Sequence, residues 1–339
     1  MEYVNFGAAG VKVSRLALGL GLRGQADETA ARRLVEHAID QGINLIDCAN
    51  IYGPMDDRAN IGRSETVLGQ AIKGKRDRLV ITSKVASAVG PGPNDRGLSR
   101  YHILREIEGT LRRLGTDHVD VYLAHIYDTT TPLEETVRAF DDIVRSGKAR
   151  YVGCCNYAAW QVCRALWVAD TLGAAPYMCV QNPYNLLNRR LEVEMFGLVR
   201  DRGLGLMAYS PLGVGLLGGA YQPGQPAPGG SLWATRGPEH HKRALAGTAG
   251  EVVRTVGAIA AELGKTPAQV AVAWVLSHPE VTCAISGADT IAQLDDVRGA
   301  LHWQLPGDLH QRLDAVRGRE RTARLNRCVA MIRSVKHGP

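Results

Sequence analysis

Gly42-Ile43-Asn44-Leu45-Ile46-Asp47-Cys48-Ala49-Asn50-Ile51-Tyr52-Gly53 is an apolar run that ends on an acid, with a tyrosine five positions further on. Asn44 to Asp47 reads as a short strand, and the residues after it as a polar turn. Two other apolar runs end the same way. Leu79-Val80-Ile81-Thr82-Ser83 stops at Lys84, and Val119-Asp120-Val121-Tyr122-Leu123-Ala124 stops at His125. If these strands are parallel neighbours, Asp47, Tyr52, Lys84 and His125 meet at one rim of a sheet. Any one of them alone reads as a polar group capping a strand end. Together they make a tuned acid, because a lysine charge beside a phenol favours phenolate and brings the tyrosine pKa down toward working pH. Asp47 would hold the lysine, and His125 would donate a hydrogen bond to a carbonyl oxygen. The set suits protonation of an oxygen while another group delivers hydride to carbon.

The same alternation of strand and helix continues on both sides. Residues 2–14, with a Gly7 to Gly10 turn, predict a hairpin, and Leu16 to Leu20 a strand. Asp27 opens a helix with Ala30, Leu34, Val35, Ala38 and Ile39 on one face, stopped at Gly42. Helices follow from Ser64 and from Ser99. Thr131-Pro132-Leu133-Glu134 reads as a capping box with proline at the first helical position, and Thr266-Pro267-Ala268-Gln269 as a second. Further strands are predicted at 149–154, 177–181, 205–209 and 281–285, and a long Gly/Pro-rich loop after Tyr209. Eight strand–helix units without a break predict a (β/α)8 barrel in a single domain, residues 1–317. A doubly wound open sheet is the alternative. Residues 318–339 read as a basic C-terminal extension, with Arg319, Arg321, Arg324, Arg327, Arg333 and Lys336.

Composition removes several function classes. The net charge of +6 is spread along the chain rather than gathered in a stripe, so no nucleic-acid role is expected. No apolar run is long enough for a membrane span, and no secretory leader is read at the N-terminus. Seven cysteines without a CxxC pair predict buried thiols in a reducing cytoplasm. His240-His241 has no carboxylate pattern beside it, so no metal site is expected. Trp160, Trp167 and Trp274 read as core, while Trp233 in the long loop, with Ile126 and Tyr127 after His125, are candidate lining of a substrate pocket.

The Asp-x-Ala-x-x-Tyr-Gly segment at Asp47, with strand-end Lys84 and His125 in that order, resembles the aldo-keto reductases. The resemblance runs from about residue 2 to 317. Gly153-Cys154-Cys155-Asn156 stands where the family reads Gly-x-Ser-Asn, and Gln181-Asn182-Pro183-Tyr184-Asn185-Leu186-Leu187 is similar to its Gln-x-x-Tyr-Asn-Leu-Leu stretch. Tyr209-Ser210-Pro211-Leu212 and Ser286-Gly287-Ala288 with Gln293-Leu294 are similar to two further family segments. The resemblance implies Tyr52 as general acid, completed by Asp47, Lys84 and His125. It implies Asn156 and Gln181, with Cys155 in place of serine, at the nicotinamide carboxamide, and Tyr209 stacked on the ring. Ser210, Pro211, Leu212, Gly215 and Leu217, and Ser286, Gly287, Ala288, Asp289, Gln293 and Asp296, would hold the pyrophosphate and the adenosine end. The cofactor implied is NADP(H) or NAD(H), and Asp289 bears on the choice, since an acid there repels a ribose 2′-phosphate. Gly92 to Ser99 looks like bacterial members acting on sugars or small aldehydes. The expected partner is thus a small carbonyl compound or sugar, with a homo-oligomer left open.

Gly19-x-Gly21-x-x-Gly24 after a strand matches the dinucleotide fingerprint of a Rossmann fold when read literally. In that fingerprint the helix begins inside the glycine run, whereas here it starts after it, at Asp27. Gly19 and Gly21 remain candidate cofactor contacts at a strand end. Two other functions stay open on the residues: a Schiff-base lyase or aldolase with Lys84 as nucleophile, and a non-enzymatic redox-sensing subunit that keeps the same four residues, as potassium-channel β subunits do.

Overall fold

In the computed structural model, which describes residues 1–22, 24–54 and 57–316, eight parallel strands close into a barrel. They are β3 (Leu16–Gly19), β4 (Leu45–Asp47), β5 (Val80–Val85), β6 (Val119–Ala124), β7 (Ala149–Cys155), β8 (Tyr177–Pro183), β9 (Gly205–Tyr209) and β10 (Cys283–Ser286). They lie in sequence order, and β10 pairs with both β9 and β3 to seal the ring. The predicted (β/α)8 barrel is therefore the fold, and the open sheet is excluded. The basic extension expected at residues 318–339 lies outside the described residues.

Period-2 alternation sorts the strand residues into two layers. Leu45, Val80, Val121, Leu123, Cys155, Cys179, Met207, Cys283 and Ile285 fill the barrel interior. Ile46, Ile81, Tyr122, Cys154, Val180 and Leu206 face the surrounding helices. By that parity Asp47, Thr82, Lys84 and Gln181 continue the inward rows. Lys84 lies one residue before the end of β5 rather than just past it, and is fully buried.

The predicted hairpin, β1 (Tyr3–Asn5) and β2 (Lys12–Ser14), puts Phe6 and Val13 into the inner layer with Ala17. Its turn packs on the start of β9, where a Cβ on Gly7 (φ +61°) would lie 2.4 Å from the Gly205 nitrogen. Only glycine fits there.

The barrel helices are α1 (Glu28–Asp40), α2 (Arg63–Ala71), α3 (Arg100–Leu114), α4 (Leu133–Arg145), α5 (Ala159–Leu172), α6 (Met195–Arg202) and, around β10, α9 (Thr248–Leu263), α10 (Pro267–Leu276) and α11 (Ile291–Arg298). Asp27 caps α1 and Thr266 caps α10, with Pro267 at the first helical position. The capping box at Thr131 does not form. Pro132 is itself the cap residue of α4, and the Thr131 hydroxyl donates to Asp128, whose carboxylate also takes the Leu98 N–H. The loop after Tyr209 carries two short helices, α7 (Leu232–Thr235) and α8 (Pro238–Ala244).

Two tryptophans depart from expectation. Trp274 is fully buried, but Trp160 and Trp167 are 57% and 68% exposed. The buried face of α5 is Val162, Ala165, Val168 and Ala169, and the helical period turns 160 and 167 away from it. Cys48, Cys154, Cys155, Cys179 and Cys283 are buried free thiols, and Cys163 on α5 is exposed.

Candidate active site

Asp47 ends β4, and the turn after it carries Tyr52 across the top of β5. The Lys84 ammonium donates to Asp47 Oδ2 at 2.7 Å and to the Cys48 carbonyl at 2.8 Å. Its Nζ lies 4.6 Å from the centre of the Tyr52 ring. The Tyr52 hydroxyl is 3.3 Å from His125 Nε2, and the two rings meet edge to face. The four residues read from strand ends thus form one cluster.

Electrostatics depart from the expected direction in one respect. Burial pushes the Tyr52 phenol up to about 12, more than the neighbouring Lys84 charge pulls it down. Desolvation wins because the phenolate would give up much of its hydration among the protein groups packed around the half-buried ring. Burial alone would lower the lysine, but Asp47 and Tyr52 outweigh it and hold the ammonium well above its ordinary value. At neutral pH the cluster holds a protonated phenol and an ammonium paired with Asp47.

Behind the cluster, Asp47 Oδ1 accepts from the Thr82 hydroxyl at 2.5 Å and from Gln181 Nε2 at 2.8 Å. Thr82 was missed in the sequence; the available signal was a hydroxyl at an inward position of an otherwise apolar strand, two residues before Lys84. Gln181, buried in the barrel, thereby touches the tetrad directly. Asn156, in the left-handed region (φ +61°), donates to the His125 carbonyl and accepts from the Tyr209 hydroxyl at 2.8 Å. Asn156 and half-buried Tyr209 therefore border the same mouth. Cys155 is fully buried in the inner layer, and burial raises its thiol.

Past Tyr209 the chain turns through Ser210, Gly213, Val214 and Gly215, all at positive φ. Left-handed backbone at a serine and a β-branched valine is costly and marks a segment held for its own conformation. Asn185 holds it by donating to the Ser210 carbonyl, and the Trp233 indole donates to the Val214 carbonyl at 3.0 Å. Pro211 and Leu217 are buried beneath it, and Leu212 is half-buried. Trp233 thus braces this turn. Of the other pocket candidates, Ile126 is exposed, whereas the Tyr127 ring packs on Tyr157 and Trp160 in the helix-facing layer.

After β10, the strand next to β9 in the ring, Asp289 Oδ1 accepts from the Gly24 N–H, and Gln25 donates to the Asp289 carbonyl. Gln293 in turn accepts from the Asp289 N–H. Burial raises the Asp289 carboxyl against the opposing Gly24 bond. Ser286 is buried at the strand end, Gly287 exposed and Ala288 half-buried. Asp296 turns elsewhere, accepting from the α10 cap Thr266 and from Gln269. Gly19 meets the seam of the barrel, since a Cβ there would lie 2.6 Å from Ile285 Cγ2, while one on Gly21 would meet nothing within 4 Å. Among the described residues no group of three or more His, Cys, Asp or Glu is placed to hold a metal ion, and no helix is long and apolar enough to cross a membrane.

Comparison with known proteins gives a consistent picture. The aldo/keto reductase family profile matches residues 15–317. An uncharacterized oxidoreductase of Bacillus subtilis (strain 168), YrpG, is 38% identical over 325 residues, covering 93% of this chain and 96% of that protein. A probable voltage-gated potassium channel subunit beta of Arabidopsis thaliana is 38% identical over 87% of this chain and 90% of its own. One of Oryza sativa subsp. japonica, with the same description, is 38% identical over 89% and 91%.

Proposed function

The chain belongs to the aldo/keto reductase family, and from that premise we propose that it moves hydride between a nicotinamide cofactor and the carbonyl or alcohol carbon of a small aldehyde, ketone or sugar, with Tyr52 as the proton donor and acceptor. The observation that carries the reading is the Tyr52 hydroxyl set between His125 and the buried Lys84–Asp47 pair.

The residues around the mouth fit a dinucleotide. The Tyr209 ring offers a flat face beside Asn156, and in the left-handed turn at 213–215, where the Gly213 N–H is taken by the Ser210 carbonyl, the N–H groups of Val214 and Gly215 are the candidates to meet a phosphate. Open Gly287 precedes the Thr290-capped start of α11, which favours negative charge. When bound, the cofactor supplies the hydride. Tyr52 keeps its proton at neutral pH and can give it to a developing alkoxide, while Lys84 and His125 stabilise charge around the phenol oxygen. Asn156 and Gln181 are the candidates to hold the carboxamide. If the adenosine end lies at Asp289, as the family resemblance implies, its carboxylate would favour a ribose hydroxyl over a phosphate, so NAD(H) is the cofactor expected to bind more tightly.

The lyase alternative meets an obstacle in Lys84. A Schiff base needs a neutral, reachable amine, and this one is an ammonium, fully buried and held by Asp47. Borohydride treatment with a carbonyl substrate is expected to leave Lys84 unmodified by mass spectrometry. The similarity to potassium-channel subunits keeps a cofactor-sensing role as the second reading.

Fluorescence quenching with NADH and NADPH tests the cofactor site, and a carbonyl panel run with wild type and Tyr52→Phe tests the chemistry. Tight binding with turnover that Tyr52→Phe abolishes supports the reductase. Tight binding with no turnover across the panel supports the sensing role. If neither nucleotide binds at millimolar concentration, the reductase has no hydride source and the reading fails.

A further inference from the structure

Asp47 is the point on which the cluster is built, and its two oxygens are used unequally. Oδ2 takes the Lys84 ammonium alone, while Oδ1 takes both Thr82 and Gln181. These donors come from β5 and β8, and Thr82 is itself fully buried. Lys84 has three N–H bonds to give. One goes to Asp47 Oδ2 and one to the Cys48 carbonyl, which leaves one for the phenol side, where the Tyr52 ring centre is 4.6 Å away.

We propose that Thr82 is a positioning residue for this reaction, its buried hydroxyl fixing the Asp47 carboxylate so that Lys84 keeps an N–H directed to Tyr52. The inference rests on Tyr52 being the proton donor proposed above. The distinction between the two Oδ1 donors carries it. Gln181 is a candidate ligand of the cofactor carboxamide, and engaging a ligand would compete with its bond to Asp47. Thr82 has no exposed atom for any ligand and serves Asp47 whether or not the cofactor is bound.

The direction of the effect follows from the charged and titratable groups that face Tyr52. These groups are Lys84, Asp47, His125 and Cys155. Asp47 holds the phenol proton more tightly, and Lys84 loosens it. A hydrogen bond from Thr82 spreads the carboxylate charge and weakens its pull. Without that bond the carboxylate draws more of the Lys84 charge to itself, and Tyr52 becomes a poorer acid. The Thr82→Val side chain fills nearly the same space, so the change is chiefly the loss of one donor to a buried charge.

The test compares Thr82→Val, Thr82→Ala and Thr82→Ser with wild type and Tyr52→Phe. It uses 4-nitrobenzaldehyde reduction, oxidation of the matching alcohol, nucleotide binding by fluorescence quenching and thermal melting. Thr82→Val is expected to lower kcat about tenfold with KM and nucleotide affinity within about twofold. The alkaline rise of alcohol oxidation is expected to move up by roughly 0.5–1 pH unit. Thr82→Ser is expected to restore both. Should Thr82→Val not fold, Thr82→Ala carries the same expectation, and Thr82→Ser must still match wild type. Wild-type kcat and pH profile in a folded Thr82→Val or Thr82→Ala overturn the proposal, as does a loss that Thr82→Ser fails to restore. Undiminished turnover in Tyr52→Phe instead overturns the reductase chemistry itself, so the two failures are told apart.

Discussion

Tyr52 holds its proton because burial outweighs a positive charge only a few ångströms away. Desolvation of the half-buried phenol penalises the phenolate more than the Lys84 charge, which is shared with Asp47, favours it. The pH dependence follows with opposite sign in the two directions. In the proposed chemistry reduction would use the protonated phenol, so its kcat is expected to stay level through neutral pH and fall only as the pH nears about 12. Oxidation would use the phenolate and is expected to rise steadily with pH. Tyr52→Phe removes the donor and is expected to cost about 10²–10⁴ in kcat with nucleotide affinity kept, as read by steady-state kinetics and fluorescence titration. After β10, the Asp289 carboxylate is tethered to the Gly24 N–H. NADH is expected to bind more tightly than NADPH, and Asp289→Arg to reverse that order in the same titration.

Among the elements, α5 shows how a helix decides the worth of its aromatics. Trp160 and Trp167 lie on its outer face, and Trp274 on α10 is enclosed between Tyr184, His278 and the Arg189 guanidinium. Urea unfolding is expected to separate them. Trp274→Ala should lose about 3–5 kcal/mol through the cavity it leaves, and Trp167→Ser no more than about 0.5 kcal/mol. Residue type alone misled at both exposed positions, because an apolar residue on a helix is core only if the period brings it to the covered face. The start of α4 teaches the same lesson about caps. The local pattern at Thr131 was correct for a capping box, but Asp128, three residues earlier and itself held by the distant Leu98 N–H, took the hydroxyl.

For the molecule as a whole, closure of the barrel is the structural event on which the site depends. The β10–β3 seam joins residues 16–18 to 284–286, the first and last strands of the ring. Gly19 lets Ile285 approach at the end of that seam, while Gly21 stands in open space. Gly19→Ala is therefore expected to lower stability by about 1–3 kcal/mol in urea unfolding, and Gly21→Ala to change it little. The glycine run that reads as a dinucleotide fingerprint is thus used, at its first position, for packing across the seam. The inner layer filled by Cys155, Cys179, Met207 and Cys283 leaves the barrel mouth as the place where polar groups gather.

By itself the sequence determined the order of strands and helices, the eightfold repeat and the four residues of the cluster, since each is written in spacing along a few neighbouring positions. Strand period, helix period and a polar residue ending an apolar run are local quantities, and short-range sterics and hydrophobic burial fix them before any distant contact forms. The tertiary structure alone decided the rest. Thr82 and Gln181 converge on Asp47 from strands 35 and 134 residues away, and Trp233 braces a turn 19 residues earlier in the chain. The acidity of Tyr52 also took its sign there. Desolvation is the sum over everything packed around a group, and no stretch of sequence contains that sum.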